Sequence, residues 1–319
     1  MEAGNKLEIA LKYFNFDLNV KIKSSTIGVN SNVYIIDNKY VLKFYRSDNN
    51  QPNRLERENH ALELFDKYKI ENVPKIINIS KEYNCCLMSY LEGQTVDILK
   101  PEYLSHFSLF YKKILQISNI ERQKYFDSID SCKTLNLLFE QINKRIINFE
   151  KENNIDLNSI LKNLNQYVEL LKKSINPNYY NNLKTELSVV DFGINNVILK
   201  KKKLYFIDFE FFGLDNPIHL ISDTIAHPAN NLKLEDQIIF SDKLINCHNN
   251  SEDIKTAFNG TNILFDIKWC LIMLNPFLSS YSLNINEDER NNRKRIQIEK
   301  VLNKIYLIEQ KIKNEYFLH

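Results

Sequence analysis

A β-rich run with a charge in its middle, Tyr40-Val41-Leu42-Lys43-Phe44-Tyr45, constrains this chain more than any other feature. With Val33 to Ile36 across Asp37-Asn38-Lys39, it predicts a hairpin with suitable turn residues. Strand signals dominate the first ninety residues. Val73-Pro74-Lys75-Ile76-Ile77 starts an extended piece, and Asn84 to Leu91 reads as a strand that Glu92-Gly93 ends, with Gly93 free to turn. One helix interrupts them, Arg54 to Phe65, where Glu58, Leu62 and Phe65 share a face. From Pro101 to Ser174 the pattern turns helical: Leu104, Phe107, Phe110 and Tyr111 lie on one face, and Leu135, Leu138, Phe139 and Ile142 repeat the spacing. Asn176 to Asn182 is a loop by composition. A second hairpin is expected from Val197 to Leu199 and Leu204 to Phe212 across a lysine turn, and the chain reads helical from Ile218 on. Strands first and helices after predict an α+β protein. Its boundary falls at Glu92-Gly93: a β-rich N-terminal lobe over 1–92 and a mostly helical C-terminal lobe over 93–319.

Composition narrows the function classes. Lys and Arg number 42 against 40 Asp and Glu, a net charge of +2, without the clustered basic face of a nucleic-acid-binding domain. Lys200 to Lys203 and the Arg290 to Arg295 stretch read as a solvated turn and a solvated helix face. Five cysteines without a C-x-x-C support neither a disulfide framework nor a zinc site, Cys247-His248 included. Reduced thiols, no leader-like segment before Asn30 and no run long enough to span a membrane lead us to expect a cytoplasmic protein.

Three features in fixed order carry chemistry. Lys43 alternates to the strand face opposite Leu42 and Phe44; alone it reads as an exposed edge-strand lysine. Glu58, on the buried stripe of the next helix, needs a partner, because an unpaired buried carboxylate is costly. Lys43 is the natural one, since Glu56 lies off that face. A strand lysine held by a helix glutamate is how kinases place a lysine on the α/β-phosphates. Next, Asp191 and Asn196 form an Asp-x-x-x-x-Asn loop, which can set a carboxylate at an acceptor hydroxyl and an amide oxygen on Mg²⁺. Last, Asp208 follows the apolar run Leu204 to Ile207 and offers a hard oxygen to Mg²⁺. Asp191-Phe192-Gly193 also spells the metal-binding tripeptide of protein kinases. That role requires a catalytic loop shortly upstream; the nearest upstream aspartate, Asp156, sits in a helical segment without an asparagine partner. Asp191 is therefore read as the catalytic residue and Asp208 as the metal ligand.

With these residues in order, the sequence resembles the aminoglycoside phosphotransferase and choline kinase superfamily over nearly its whole length. Ile27-Gly28-Val29-Asn30-Ser31-Asn32-Val33-Tyr34 is similar to its phosphate loop, Cys86 to Gly93 to its hinge, Leu187 to Asn196 to its catalytic loop, and Ile207 to Pro217 to its metal strand and following turn. Many members have His-Gly-Asp where Val189-Val190-Asp191 stands here. The resemblance implies a bilobal protein-kinase-like fold with ATP in the cleft. It implies that Ser31 and Asn32 meet the phosphates and that Ser89 and Leu91 lie where adenine binds. Lys43 and Glu58 would position the nucleotide, Asn196 and Asp208 hold Mg²⁺, and Asp191 accept the proton of a small-molecule hydroxyl. A sugar, an amino alcohol and an aminoglycoside-like molecule all remain open as acceptor, a neutral alcohol being mildly preferred. Asp215, Asp223 and His227 are acceptor-side candidates, and helix capping or core satisfaction explains each about as well. A nucleotide-binding pseudokinase is the alternative function; no activation segment of the protein-kinase type follows Asp208.

Overall fold

The computed structural model describes residues 3–27, 31–47, 52–121, 124–281 and 286–313. The chain divides into two compact units, one of Met1–Asp97 with Asn195–Gly213, the other of Ile98–Ile194 with Leu214–His319.

The first unit is built on a five-stranded antiparallel sheet in the order β1-β2-β3-β5-β4: β1 Ile22–Ile27, β2 Ser31–Ile36, β3 Tyr40–Tyr45, β4 Ile76–Ser80 and β5 Cys85–Ser89. The β2–β3 hairpin pairs Ile36 with Tyr40. Asp37 and Asn38 both take positive φ, 50° and 53°, the backbone of a tight hairpin turn whose twist matches its strands. A helix before the sheet, α1 (Ala3–Tyr13), has no counterpart in the sequence reading. Its Ala10 and Leu11, with the following Phe14, complete a core with Ile36, Leu42, Phe44, Cys85 and Leu87. Among the described residues the unit thus holds two α-helices rather than the one expected. The second, α2 (Arg54–Lys67), starts at a capping box in which the Asn53 side chain accepts from Glu56 N–H and Glu56 returns the bond to Asn53 N–H. That use of Glu56 satisfies donors the first turn would leave open.

The lobe boundary requires correction. Residues 195–213, assigned from sequence to the C-terminal lobe, belong to the first unit, which itself runs to Asp97. The cause is a three-stranded sheet, β6 (Gln94–Thr95), β8 (Val197–Lys200) and β9 (Lys203–Phe206), in which β8 pairs with both others. Phe206 N–H also donates to Asn72 C=O at 2.9 Å. Phe209 and Phe212 then pack edge-on against Phe65 of α2, with centroids 5.0 and 6.1 Å away. The second strand of this hairpin stops at Phe206, short of the expected Phe212.

Gly93 lies at a bend, as read from sequence, but without a positive φ, so the need for glycine there is steric. A Cβ there would stand 2.5 Å from Ile198 Cγ2 and 2.7 Å from Leu199 O. The backbone oxygen cannot swing away, so the overlap must be relieved by moving strands. Gly93→Ala is expected to cost about 1–3 kcal/mol, read as a lower urea midpoint at unchanged m-value.

The second unit is mostly helical: α3 Leu104–Glu121, α4 Leu135–Lys151, α5 Ile155–Ser174, α6 Pro177–Asn181, α7 Pro217–Ala226, α8 Leu234–Ile245, α9 Ser251–Met273 and α10 Glu287–Lys313. The short α6 replaces the expected loop; Pro177 occupies its first turn and the Asn176 side chain caps it, an arrangement that suits a helix start. A two-stranded ladder joins β7 (Glu186–Ser188) to β10 (Gly213–Asp215). Every residue of α7 is buried, the polar His219, Ser222, Asp223 and Thr224 included, so the helix is enclosed on all sides and its polar groups can find partners only inside the protein. Asp266 of α9 ties down α10 through Lys304 at 2.8 Å and Lys311 at 2.6 Å.

Candidate active site

In the first unit β3 and α2 deliver the predicted pair. Lys43 Nζ lies 2.6 Å from Glu58 Oε2 and also 2.6 Å from Asp208 Oδ1. Tyr45, two residues along the same strand face, donates its hydroxyl to Glu58 Oε2 at 2.8 Å, and Phe209 N–H reaches Glu58 Oε1 at 3.3 Å. Glu58 therefore holds the lysine and the loop after Asp208 together. Burial alone would lower the Lys43 pKa; the Asp208, Glu58 and Glu210 carboxylates outweigh it and raise it well above the ordinary value. The lysine is a fixed cation.

Glu210 was not given a role from sequence. It is buried, 3.3 Å from Lys43 through Oε2 and 2.6 Å from Arg54 Nη1 of α2 through Oε1. Among the described residues its Oε2 has no hydrogen-bond partner. Burial and then Asp208 push its carboxyl up to about 7, against the pull of Lys43 and Arg54. Glu58, Asp208 and Glu210 can each place a carboxylate oxygen within 4.8 Å of the others. An all-oxygen donor set with one oxygen unsatisfied fits a hard divalent cation such as Mg²⁺. Asn196 neighbours this set through the backbone, its C=O accepting from Ile207 N–H at 3.0 Å.

The remaining first-unit candidates are placed as follows. Ser31 and Asn32, expected in a loop, begin β2 and pair with Tyr45 and Phe44; Gly28, Val29 and Asn30 lie outside the described residues. Ser89 ends β5, its hydroxyl accepting from Lys75 N–H at 2.9 Å. Leu91 follows the strand, half-buried.

Asp191 belongs to the second unit, after β7. Its φ of 69° equals that of Asp208, a left-handed backbone that is strained for a residue with a side chain and recurs at functional positions. Phe192 anchors the loop between Phe107 and Phe110 of α3, at 4.7 and 5.7 Å. Asn230 accepts from Ile194 N–H at 2.8 Å. His227 Nε2 lies 3.0 Å from Asp191 Oδ1.

Of the other acceptor-side candidates, Asp215 is wholly buried and receives Ser128, Ser131, Cys132 N–H and His219. It organises the interior and is not open to an acceptor. Asp223 is buried and accepts from Trp269 Nε1 at 2.8 Å. Arg290, at the start of α10, donates to the carbonyls of Pro276 and Leu278.

A model of the phosphotransferase enzyme family matches residues 27–226, more than half of the chain. The chain belongs to this family. No curated protein sequence matches it. Among solved structures, this phosphotransferase is similar to the ADP-bound aminoglycoside phosphotransferase APH(2'')-Ib, with TM-score 0.63, 17% identity, and 94% of this chain and 98% of that one covered. Choline kinase from Cryptosporidium parvum gives TM-score 0.62 at 13% identity, with both chains covered to 100%. A GDP and kanamycin complex of another aminoglycoside phosphotransferase gives 0.61 at 15%, covering 99% of this chain and 100% of that one. The phosphotransferase therefore has the α+β fold of these proteins. No helix among its described residues is long and apolar enough to cross a membrane.

A second polar cluster lies at the other end of β7. Tyr111 donates to Glu186 Oε1 at 2.5 Å, and His248 Nε2 stands 2.9 Å from the Tyr111 hydroxyl. Glu186 and His248 border a groove of about 900 Å³ lined also by Lys112, Tyr179 and Lys184, and its lining among the described residues includes none of the sequence-predicted site residues. Burial pushes Glu186 up to about 8 and His248 down to about 4, so both are neutral at pH 7. A raised folded-state carboxyl favours the folded protein where it is protonated in both states; that advantage fades as pH climbs from the ordinary 4.5 through about 8. Glu186→Gln keeps the acceptor for Tyr111 and cannot ionise. Its unfolding free energy in urea should match the parent's near pH 4.5 and exceed it progressively up to about pH 8, by on the order of 5 kcal/mol. Identical pH profiles for the two proteins would contradict this account of Glu186.

Proposed function

We propose that the protein transfers the γ-phosphate of ATP, with Mg²⁺, to a hydroxyl of a small molecule. The supporting observation is the grip on Lys43, with Glu58 and Asp208 oxygens both 2.6 Å from one ammonium. In this reading Lys43 positions the α/β-phosphates and Glu58 keeps it there. Asp208 and Asn196 hold the metal, with Glu210 beside them. Bound Mg²⁺ supplies charge neutralisation of the phosphates. Ser31 and Asn32 meet the phosphates, and Ser89 and Leu91 border the adenine. Asp191 orients the acceptor hydroxyl and takes its proton. Catalysis of this kind is positioning and charge stabilisation more than bond chemistry by side chains.

The acceptor is proposed as a sugar, amino alcohol or aminoglycoside-like molecule, and the setting as cytoplasmic. Thermal-shift titration with ATP and GTP, with and without Mg²⁺, tests the donor side. Stabilisation that depends on Mg²⁺ is expected, and no shift under any condition sinks the reading. A panel of alcohols then tests transfer; a nucleotide shift with no product from any of them would identify a binding-only pseudokinase.

A further inference from the structure

We infer that His227 is a positioning residue for Asp191, acting as a neutral Nε2–H donor whose tautomer the backbone selects. This rests on the proposed role of Asp191 as the acceptor's base. Ala229 N–H points at His227 Nδ1 at 3.1 Å. A backbone amide can only donate, so Nδ1 must accept and carry no proton. The remaining nitrogen then bears the hydrogen, and Nε2–H donates to Asp191 Oδ1 at 3.0 Å. An imidazolium would set its Nδ1 proton against the Ala229 amide, and the opposite tautomer would set a lone pair against the carboxylate.

The ring is held from its face as well. Trp269 meets it edge-on with centroids 4.4 Å apart, and Trp269 is fixed in turn by the Asp223 carboxylate at 2.8 Å. His227 is itself buried, at the C-terminal end of α7. Three residues later Asn230 holds the far side of the Asp191 loop: its Oδ1 takes Ile194 N–H, and its Nδ2 donates to Thr224 C=O at 2.7 Å. The segment 227–230 thus clamps a loop whose aspartate carries an unfavourable backbone conformation. A neutral donor suits a carboxylate that must stay ionised to accept a proton. It orients one oxygen and, with Nδ1 already engaged, offers no competing base.

Two measurements test this on the full chain. Long-range ¹H–¹⁵N spectra at pH 7.5 should show His227 as the Nε2–H tautomer, with faster exchange of that proton in Asp191→Ala. Steady-state ATP hydrolysis, with water as the acceptor and Mg²⁺ present, should show kcat down about tenfold in His227→Ala with KM for ATP within twofold. His227→Gln, whose amide can reach the same carboxylate, should recover to within about threefold. An imidazolium or an Nδ1–H tautomer overturns the inference, as does an unchanged kcat in His227→Ala or a glutamine variant no better than alanine. A parent protein that turns over no ATP counts against Asp191 as a base, and the spectra then decide by themselves whether His227 donates to it.

Discussion

Lys43→Met is expected to unfold far more readily than the parent at pH 8, besides losing ATP turnover. The substitution leaves a similar volume but strands Glu58, Asp208 and Glu210 together, with the Arg54 guanidinium on Glu210. Breaking a buried pair by removing one partner costs about 3–5 kcal/mol, because the surviving charge stays desolvated. The sign with pH follows from the two kinds of group. The folded-state pKa of Lys43 is raised above its ordinary 10.5, so its stabilisation is fully present at any pH below 10.5. The variant's deficit therefore tracks the carboxylates. Glu210 protonates first on acidification, its carboxyl standing at about 7, and the deficit should shrink between pH 8 and pH 5. Urea unfolding at the two values measures it; an equal loss at both would mean that the carboxylates are not what the lysine holds.

Asp191→Asn and Asp208→Asn should fail in different ways. Asp191→Asn removes the proposed base and should lower kcat by roughly 10²-fold or more, leaving Mg²⁺-ATP affinity nearly intact. Asp208→Asn removes a carboxylate from the proposed metal set, so the Mg²⁺ concentration for half-maximal ATP binding should rise steeply. It also takes one carboxylate from Lys43, so its folding is checked first by circular dichroism. If Asp191→Asn were the variant that raised the Mg²⁺ requirement, the two aspartates would exchange roles and Asp191-Phe192-Gly193 would be the metal loop.

What was legible beforehand has a physical pattern. The Lys43–Glu58 pair spans 15 residues and joins two elements whose periods are plain, so alternation on the strand and the buried stripe of the helix pointed at one another. Asp208 was singled out as a charged residue closing an apolar run, but its contact with Lys43 at 2.6 Å was not indicated by any local pattern. Contacts set by tertiary packing left no such trace. Arg54 and Glu210 are 156 residues apart, Tyr111 and His248 137, and Asp191 and His227 36; nothing local links one member of a pair to the other, even where, as with Asp191 and His227, each was singled out by itself. Asp215 stayed open between acceptor, cap and core for the same reason, since a carboxylate after a turn looks alike whether it caps, binds or is sealed inside; its burial decides for the core. Gly93 was legible as a turning point, while the steric need for glycine was not: its neighbours Ile198 and Leu199 lie more than a hundred positions away.

The first unit is assembled from two stretches of chain, 1–97 and 195–213, and this bears on its birth at the ribosome. At roughly 5–20 residues per second, the interval between the two stretches is about 5–20 s of synthesis. During that time Phe65 waits without Phe209 and Phe212, and Lys43 and Glu58 wait without Asp208. The sheet around Leu42 and Cys85 has all its strands by residue 89, whereas the cluster on Lys43 cannot close until Asp208 has emerged. The nascent chain therefore holds a formed scaffold with its charged centre unassembled, and a chain halted within 98–194 should remain a client for chaperones.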